Sequence, residues 1–141
     1  MDCRALVVDD EAMIREIFRI YLEQWGFEVL TASSHSAGMA VASTQKFDLV
    51  FSDYQLLDGP GLEVLSAARD LNQQAVLFTL SEHWSEPERS KVKDFGCFAF
   101  YKPCDWDQLH ERITSSLDSN APGRLEGARS SKRAAIKMKA G

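Results

Sequence analysis

Five polar residues stand at the ends of short apolar runs. Asp9 and Asp10 follow Arg4-Ala-Leu-Val-Val8, and Asp53 closes Asp48-Leu-Val-Phe-Ser-Asp53. Ser81 follows the run from Ala75 to Leu80, and Lys102 follows the run from Cys97 to Tyr101. Three carboxylates gathered in one site repel one another and raise at least one of their pKa values. A lysine beside them supplies a point positive charge. Taken singly, each residue also has an ordinary reading. Asp9 and Asp10 suit a solvated strand end, Asp53 or Ser81 a helix cap, and Lys102 a surface turn before Pro103. Joint chemistry requires elements that bring them together.

Those elements are legible as alternation. After the first strand, Ile14, Ile17, Phe18, Tyr21, Leu22 and Trp25 recur at helical spacing, and Gly26 marks a stop. Phe27 to Thr31 reads as a second strand and Ser36 to Thr44 as a helix, weakened by Gly38. The third strand runs from Asp48 to Asp53, Asp58-Gly-Pro-Gly61 reads as a loop, and Leu62 to Leu71 as a helix. Ala75 to Leu80 is the fourth strand. Pro87 opens a helix to about Phe95, stopped by Gly96, and Cys97 to Tyr101 is the fifth strand. Trp106, Leu109, Ile113 and Leu117 space a final helix. The expected fold class is α/β: a flavodoxin-like (βα)₅ doubly wound parallel sheet with strand order 2-1-3-4-5. All strand C-termini then share one rim, and strands one and three meet at the topological switch point, the usual ligand crevice.

Four pieces of text occur in order at compatible spacings: Leu6-Val-Val-Asp-Asp-Glu11, Phe47-Asp-Leu-Val-Phe-Ser-Asp53, Gly61-Leu-Glu-Val-Leu65 and Lys102-Pro103. Over residues 3–118 the chain resembles the receiver domain of two-component response regulators, in a stand-alone form. The resemblance implies that Asp53 is the phosphoacceptor. It implies Mg²⁺ (or Mn²⁺) held by Asp10 and Asp53, by Asp9 mainly through water, and by the Gln55 backbone carbonyl, since Mg²⁺ takes oxygen ligands and keeps waters. Lys102 would hold a phosphate oxygen. The hydroxyl that swings toward the phosphate is expected to be Ser81, with Thr79 as second choice. The aromatic that follows it is expected to be Phe100, with Phe98 second. The Lys102–Pro103 bond is expected to be cis. Leu57 stands where the family pattern has a proline, and the segment from Gly96 to Lys102 is one residue short of it.

The implied partners are a sensor histidine kinase or histidine phosphotransfer protein and a downstream protein of unknown identity, with homodimerisation through the face of helix four, strand five and helix five. The domain would catalyse its own phosphorylation and slow dephosphorylation, with no turnover on small substrates. Two other readings stay open. One is a degenerate receiver that docks partners without phosphorylation. The other is a small phosphohydrolase with Asp53 as nucleophile, although Ser52-Asp53-Tyr54-Gln55 lacks a second Asp. No G-x-x-x-x-G-K-[ST] occurs, which excludes P-loop nucleotide chemistry.

Length and composition agree with one domain. The 141 residues are 45% hydrophobic and 26% charged, enough apolar material for a single core. Apolar runs near the start are too short for a signal-peptide core or membrane span, so a cytoplasmic protein is expected. Cys3, Cys97 and Cys104 are odd in number and irregularly spaced, and His35, His83 and His110 are scattered; neither set suggests a metal site or disulfide framework. Residues 1–118 hold ten Lys/Arg against twenty Asp/Glu, whereas residues 119–141 hold six against one. An acidic body argues against broad nucleic-acid binding by the folded part. The basic end, from residue 119, reads as a flexible tail too short for a DNA-binding helix-turn-helix domain.

Overall fold

Apolar runs separated by amphipathic ones become a parallel sheet covered on both faces in the computed structural model, which describes residues 3–120. The elements are β1 (Cys3–Val8), α1 (Ala12–Gln24), β2 (Phe27–Ala32), α2 (His35–Ala42), β3 (Leu49–Asp53), β4 (Gln55–Leu56), β5 (Gly59–Pro60), α3 (Gly61–Leu71), β6 (Val76–Ser81), α4 (Glu86–Phe95), β7 (Phe98–Tyr101) and α5 (Trp106–Asn120). The main sheet has order β2-β1-β3-β6-β7, all pairs parallel. Counting only its five strands, this is the expected 2-1-3-4-5.

Three details differ from the sequence reading. The segment around Asp58–Gly61 contains a two-residue antiparallel hairpin, β4 with β5, where a plain loop was expected. Strands this short carry no periodicity to read. Ser81 is the last residue of β6 rather than the first beyond it, because its backbone still pairs with Tyr101. Helix α5 continues to Asn120, past the expected body boundary at residue 118. The expected flexible tail otherwise lies outside the described residues.

Continuous burial along β1, β3 and β6 explains why these segments read as unbroken apolar runs. Alternate residues feed two cores. Ala5, Val7, Phe51, Phe78 and Leu80 face α1 and α5, packing on Phe18, Leu22, Leu109 and Ile113. Leu6, Val8, Val50 and Leu77 face the other way, onto Leu62, Val64, Leu65 and Val92 of α3 and α4. Helix ends are set locally. Ser34 Oγ accepts from the Ala37 N–H at the start of α2. Ser85 and Glu88 form a reciprocal capping box at the start of α4, with Pro87 in its first turn, and Gly96 ends it at φ +94°. Among the described residues no helix is long and apolar enough to cross a membrane.

Candidate functional site

Parallel topology delivers Asp9, Asp53 and Lys102 to one C-terminal rim, from the ends of β1, β3 and β7, and there they touch. Lys102 Nζ lies 3.1 Å from Asp9 Oδ2 and 3.3 Å from Asp53 Oδ2, with Glu11 Oε1 at 3.4 Å. Asp9 is wholly buried, and the Lys102 and Asp53 side chains are 9% and 16% exposed. The three residues therefore form a desolvated cluster in which one cation is shared by two acids.

The cluster's electrostatics follow from that arrangement. Burial pushes the Asp53 carboxyl above its ordinary range, with repulsion from Asp9 adding to the rise; Lys102 and the Gln55 N–H, 3.4 Å from Asp53 Oδ1, pull the other way. Burial works to lower the Lys102 pKa, but its hydrogen bond to Asp9 and the charges of Asp53 and Asp9 outweigh it, and the ammonium is held above its usual value.

Backbone contacts fix the acceptor. The Tyr54 N–H donates to the Leu80 carbonyl, and the Gly61 N–H donates to the Tyr54 carbonyl. A Cβ at Gly61 would fall 1.9 Å from the Asp53 carbonyl oxygen, so only glycine lets α3 start this close to the acceptor strand. On the other rim of the crevice, Asp10 Oδ2 accepts from the Leu57 N–H at 3.0 Å and ties the β4–β5 turn to the end of β1. The Asp58 carboxylate accepts from the N–H groups of His35 and Ser36, anchoring the hairpin to the start of α2. The Lys102–Pro103 peptide is cis, as expected.

The residues singled out from sequence divide into those the structure joins and those it separates. Asp9, Asp53 and Lys102 are in contact, whereas the Asp10 carboxylate is turned to Leu57. Among the described residues no group of three or more His, Cys, Asp or Glu side chains stands ready to hold a metal ion. The oxygen donors at the rim, Asp9, Asp10, Asp53 and the Gln55 carbonyl, are nevertheless the hard set that suits Mg²⁺ or Mn²⁺, with no thiol or imidazole among them.

Ser81 Oγ donates to the His83 carbonyl and accepts from the His83 N–H, so it closes its own turn; the cap of α4 is Ser85. Thr79 is wholly buried, and its Oγ1 has no hydrogen-bond partner among the described residues. Phe98 and Phe100 both pack against Phe78 on the α1–α5 side. Period-two alternation and the pairs Thr79↔Ala99 and Ser81↔Tyr101 put both hydroxyls on the opposite face. Asp53 caps nothing, since Pro60 occupies the N-cap of α3. Burial pushes the Cys97 and Cys104 thiols up to about 12, which disfavours the thiolate at neutral pH.

Three participants escape sequence reasoning. Glu11 completes the ring around Lys102. Trp84 meets Tyr54 edge-on at 5.1 Å and donates its indole N–H to the Phe100 carbonyl, joining the residue after the acceptor to β7. Tyr101 is half exposed and carries Arg89 over its ring at 5.5 Å. A loop tryptophan has no periodic signal. The acidic neighbour of a double Asp was visible only as the third letter of a run.

Comparison with known proteins matches this geometry. Residues 5–114 fit the sequence profile of the response regulator receiver domain. The transcriptional regulatory protein GlrR of Escherichia coli (strain K12) is 30% identical over 122 residues, covering 86% of this chain and 28% of that protein. The alginate biosynthesis transcriptional regulatory protein AlgB of Pseudomonas aeruginosa is 34% identical over 116 residues, covering 82% and 26%. The chain thus spans about a quarter of the length of these curated relatives. Among solved structures, a CheY-like receiver domain protein from Methanospirillum hungatei superposes with a TM-score of 0.80 at 26% identity, over 88% of this chain and 100% of that one.

Proposed function

The chain belongs to the response regulator receiver family, and from that membership we propose that Asp53 accepts a phosphoryl group from a phosphohistidine and that the new charge alters what the domain binds. One observation carries the reading. Lys102 Nζ bridges Asp9 and Asp53, which lie 93 and 49 residues away in sequence, at the C-terminal edge of a doubly wound sheet. A lone surface lysine has no reason to be drawn there.

In the proposed reaction an Asp53 Oδ attacks phosphorus. The P–N bond to the donor imidazole breaks as the O–P bond forms, and the imidazole leaves with the bond pair. Lys102 keeps one terminal phosphoryl oxygen in position as its contact with the Asp53 carboxylate is replaced by one with the phosphate. Burial of Asp9 and Asp53 excludes water and strengthens each of these interactions. Asp9, Asp10, Asp53 and the Gln55 carbonyl would hold Mg²⁺ or Mn²⁺. Bound there, the cation neutralises charge on the transferring group.

The same event supplies a signal. A phosphoryl group adds roughly −1.5 to −2 charges and three acceptor oxygens. Ser81 is proposed as the hydroxyl that turns to them from the end of β6. Thr79 is the alternative, favoured by an Oγ1 that lacks any partner to lose. Phe100, or Phe98, is proposed to respond on β7. Their position across the sheet from the hydroxyls makes the Trp84 bond to the Phe100 carbonyl the direct tie between the two faces. A sensor histidine kinase or histidine phosphotransfer protein would be the donor. The receiver would sit in the cytoplasm, turn over no small substrate, and engage a downstream protein, with a homodimer through α4, β7 and α5 as one form of output.

The test uses a small phosphodonor and a beryllofluoride analogue with and without Mg²⁺. Intact mass and NMR are expected to report one adduct, dependent on the cation and lost in Asp53→Asn. Wild type without adduct or cation-dependent shifts sinks the proposal in favour of a phosphorylation-independent docking module. True turnover of small phosphate esters would instead make the protein a hydrolase.

A further inference from the structure

The N-terminal edge of the sheet, opposite the acidic cluster, carries a cavity of about 440 Å³ between the end of α3, the first residues of β6 and β7, and the second half of α5. Arg69 and Arg112 both line it, with Gln73, Ser115 and Ser116. Each guanidinium is held by an aromatic ring. Arg69 Cζ lies 4.1 Å over the Phe95 ring while its Nη1 donates to the Phe95 carbonyl at 2.6 Å, and Arg112 Cζ lies 4.8 Å over the Phe98 ring. Stacking of this kind fixes the plane of the fork and leaves its outer N–H groups free to donate.

Neither arginine forms an ion pair among the described residues, although Arg4, Arg19 and Lys102 all do. The contrast is sharp in a body with twice as many acids as bases over residues 1–118. Ser115 and Ser116 have no side-chain hydrogen bond among the described residues either. Two cations and two hydroxyls thus line one space, and apart from the Arg69 Nη1 bond to the Phe95 carbonyl their side-chain donors have no hydrogen-bond partner among the described residues.

We propose that this cavity is a binding site for a small phosphate-bearing anion, held by the guanidinium groups of Arg69 and Arg112 and the hydroxyls of Ser115 and Ser116. The donor set exceeds what one carboxylate can accept. A phosphate offers at least three oxygens in a geometry that matches guanidinium forks two at a time. The volume lies at the low end of the range for small-molecule sites, roughly 300–1,000 Å³, so it suits one compact ligand. The site is separate from Asp53 and does not depend on phosphoryl transfer.

Pyrophosphate is the probe. The full ¹⁵N-labelled chain is titrated without divalent metal at constant ionic strength, with sodium chloride and malonate as parallel arms. Saturable shifts are expected at the amides of Gly96, Phe98, Ser115 and Ser116, unchanged in Asp53→Asn. Arg112→Gln is expected to weaken binding by about tenfold or more, and Arg112→Lys, which keeps the charge but loses the fork, by a smaller factor. Shifts confined to residues 121–141, equal affinity for malonate, an identical response to chloride, or full affinity in both Arg112 variants would each overturn the proposal. A spectrum that overlays wild type away from the cavity verifies that the variants fold.

Discussion

On the α1–α5 side of the sheet, rings meet rings. Phe51 stacks on Phe78 at 4.7 Å, Phe18 sits 5.2 Å from Phe51 and 4.8 Å from Trp106, and Tyr21 stacks on Trp106 at 4.1 Å. The α2–α3–α4 side is filled mainly by Leu, Val and Ala, with Phe47 at one end and Trp84 entering from a loop. That second side also holds the orphan hydroxyl of Thr79 and, at Ala99, the smallest side chain of β7. By strand alternation Asp9 and Asp53 continue the aromatic register of Val7 and Phe51, whereas Thr79 and Ser81 continue that of Leu77. The difference teaches a division of labour. The acids project from an interlocked frame that fixes their spacing. The hydroxyls project from a face of mainly aliphatic side chains, where Thr79 Oγ1 is buried without a partner among the described residues.

The comparison breaks first at the aromatic frame. Phe51→Ala should cost about 3–5 kcal/mol, the range for a large ring removed from a core that cannot collapse. Chemical denaturation measures it, and a loss under about 1 kcal/mol would mean that the frame is no frame. A smaller effect is expected at Asp53. Its raised pKa means that the protonated carboxyl stabilises the fold below the ordinary value of 3.8, and that this contribution is lost as pH rises through the folded value. Asp53→Asn should therefore melt above wild type near neutral pH without divalent cation, and the gap should close as pH falls. A variant that melts lower at pH 7 would contradict the sign. The smallest change belongs to the other face. Thr79→Val removes a buried hydroxyl that makes no hydrogen bond among the described residues, and a gain of about 1 kcal/mol is expected in the same denaturation experiment. A loss of similar size would show that Oγ1 has a partner in solution and would narrow the contrast between the faces.

Much of the frame was legible because burial on both sheet faces leaves unbroken apolar strands, and because Ile14 through Trp25 spell a helix face. The rim followed from topology: once strands one and three are neighbours, Asp9 and Asp53 must be close. Other parts needed coordinates. The β4–β5 hairpin is too short to have a period. Whether Phe100 shares a face with Ser81 depends on the register Ser81↔Tyr101, and a one-residue slip would reverse the answer. That Asp10 turns to the Leu57 N–H is decided by a loop whose shape no pattern specifies.

Helix α4 is punctuated at both ends by its own residues, yet Val92 is its single buried side chain. Its boundaries are thus self-contained while its grip on the body is slight. Such a segment opens locally at lower cost than the sheet beneath it, so its amides should exchange with deuterium well before those of β1, β3 and β6.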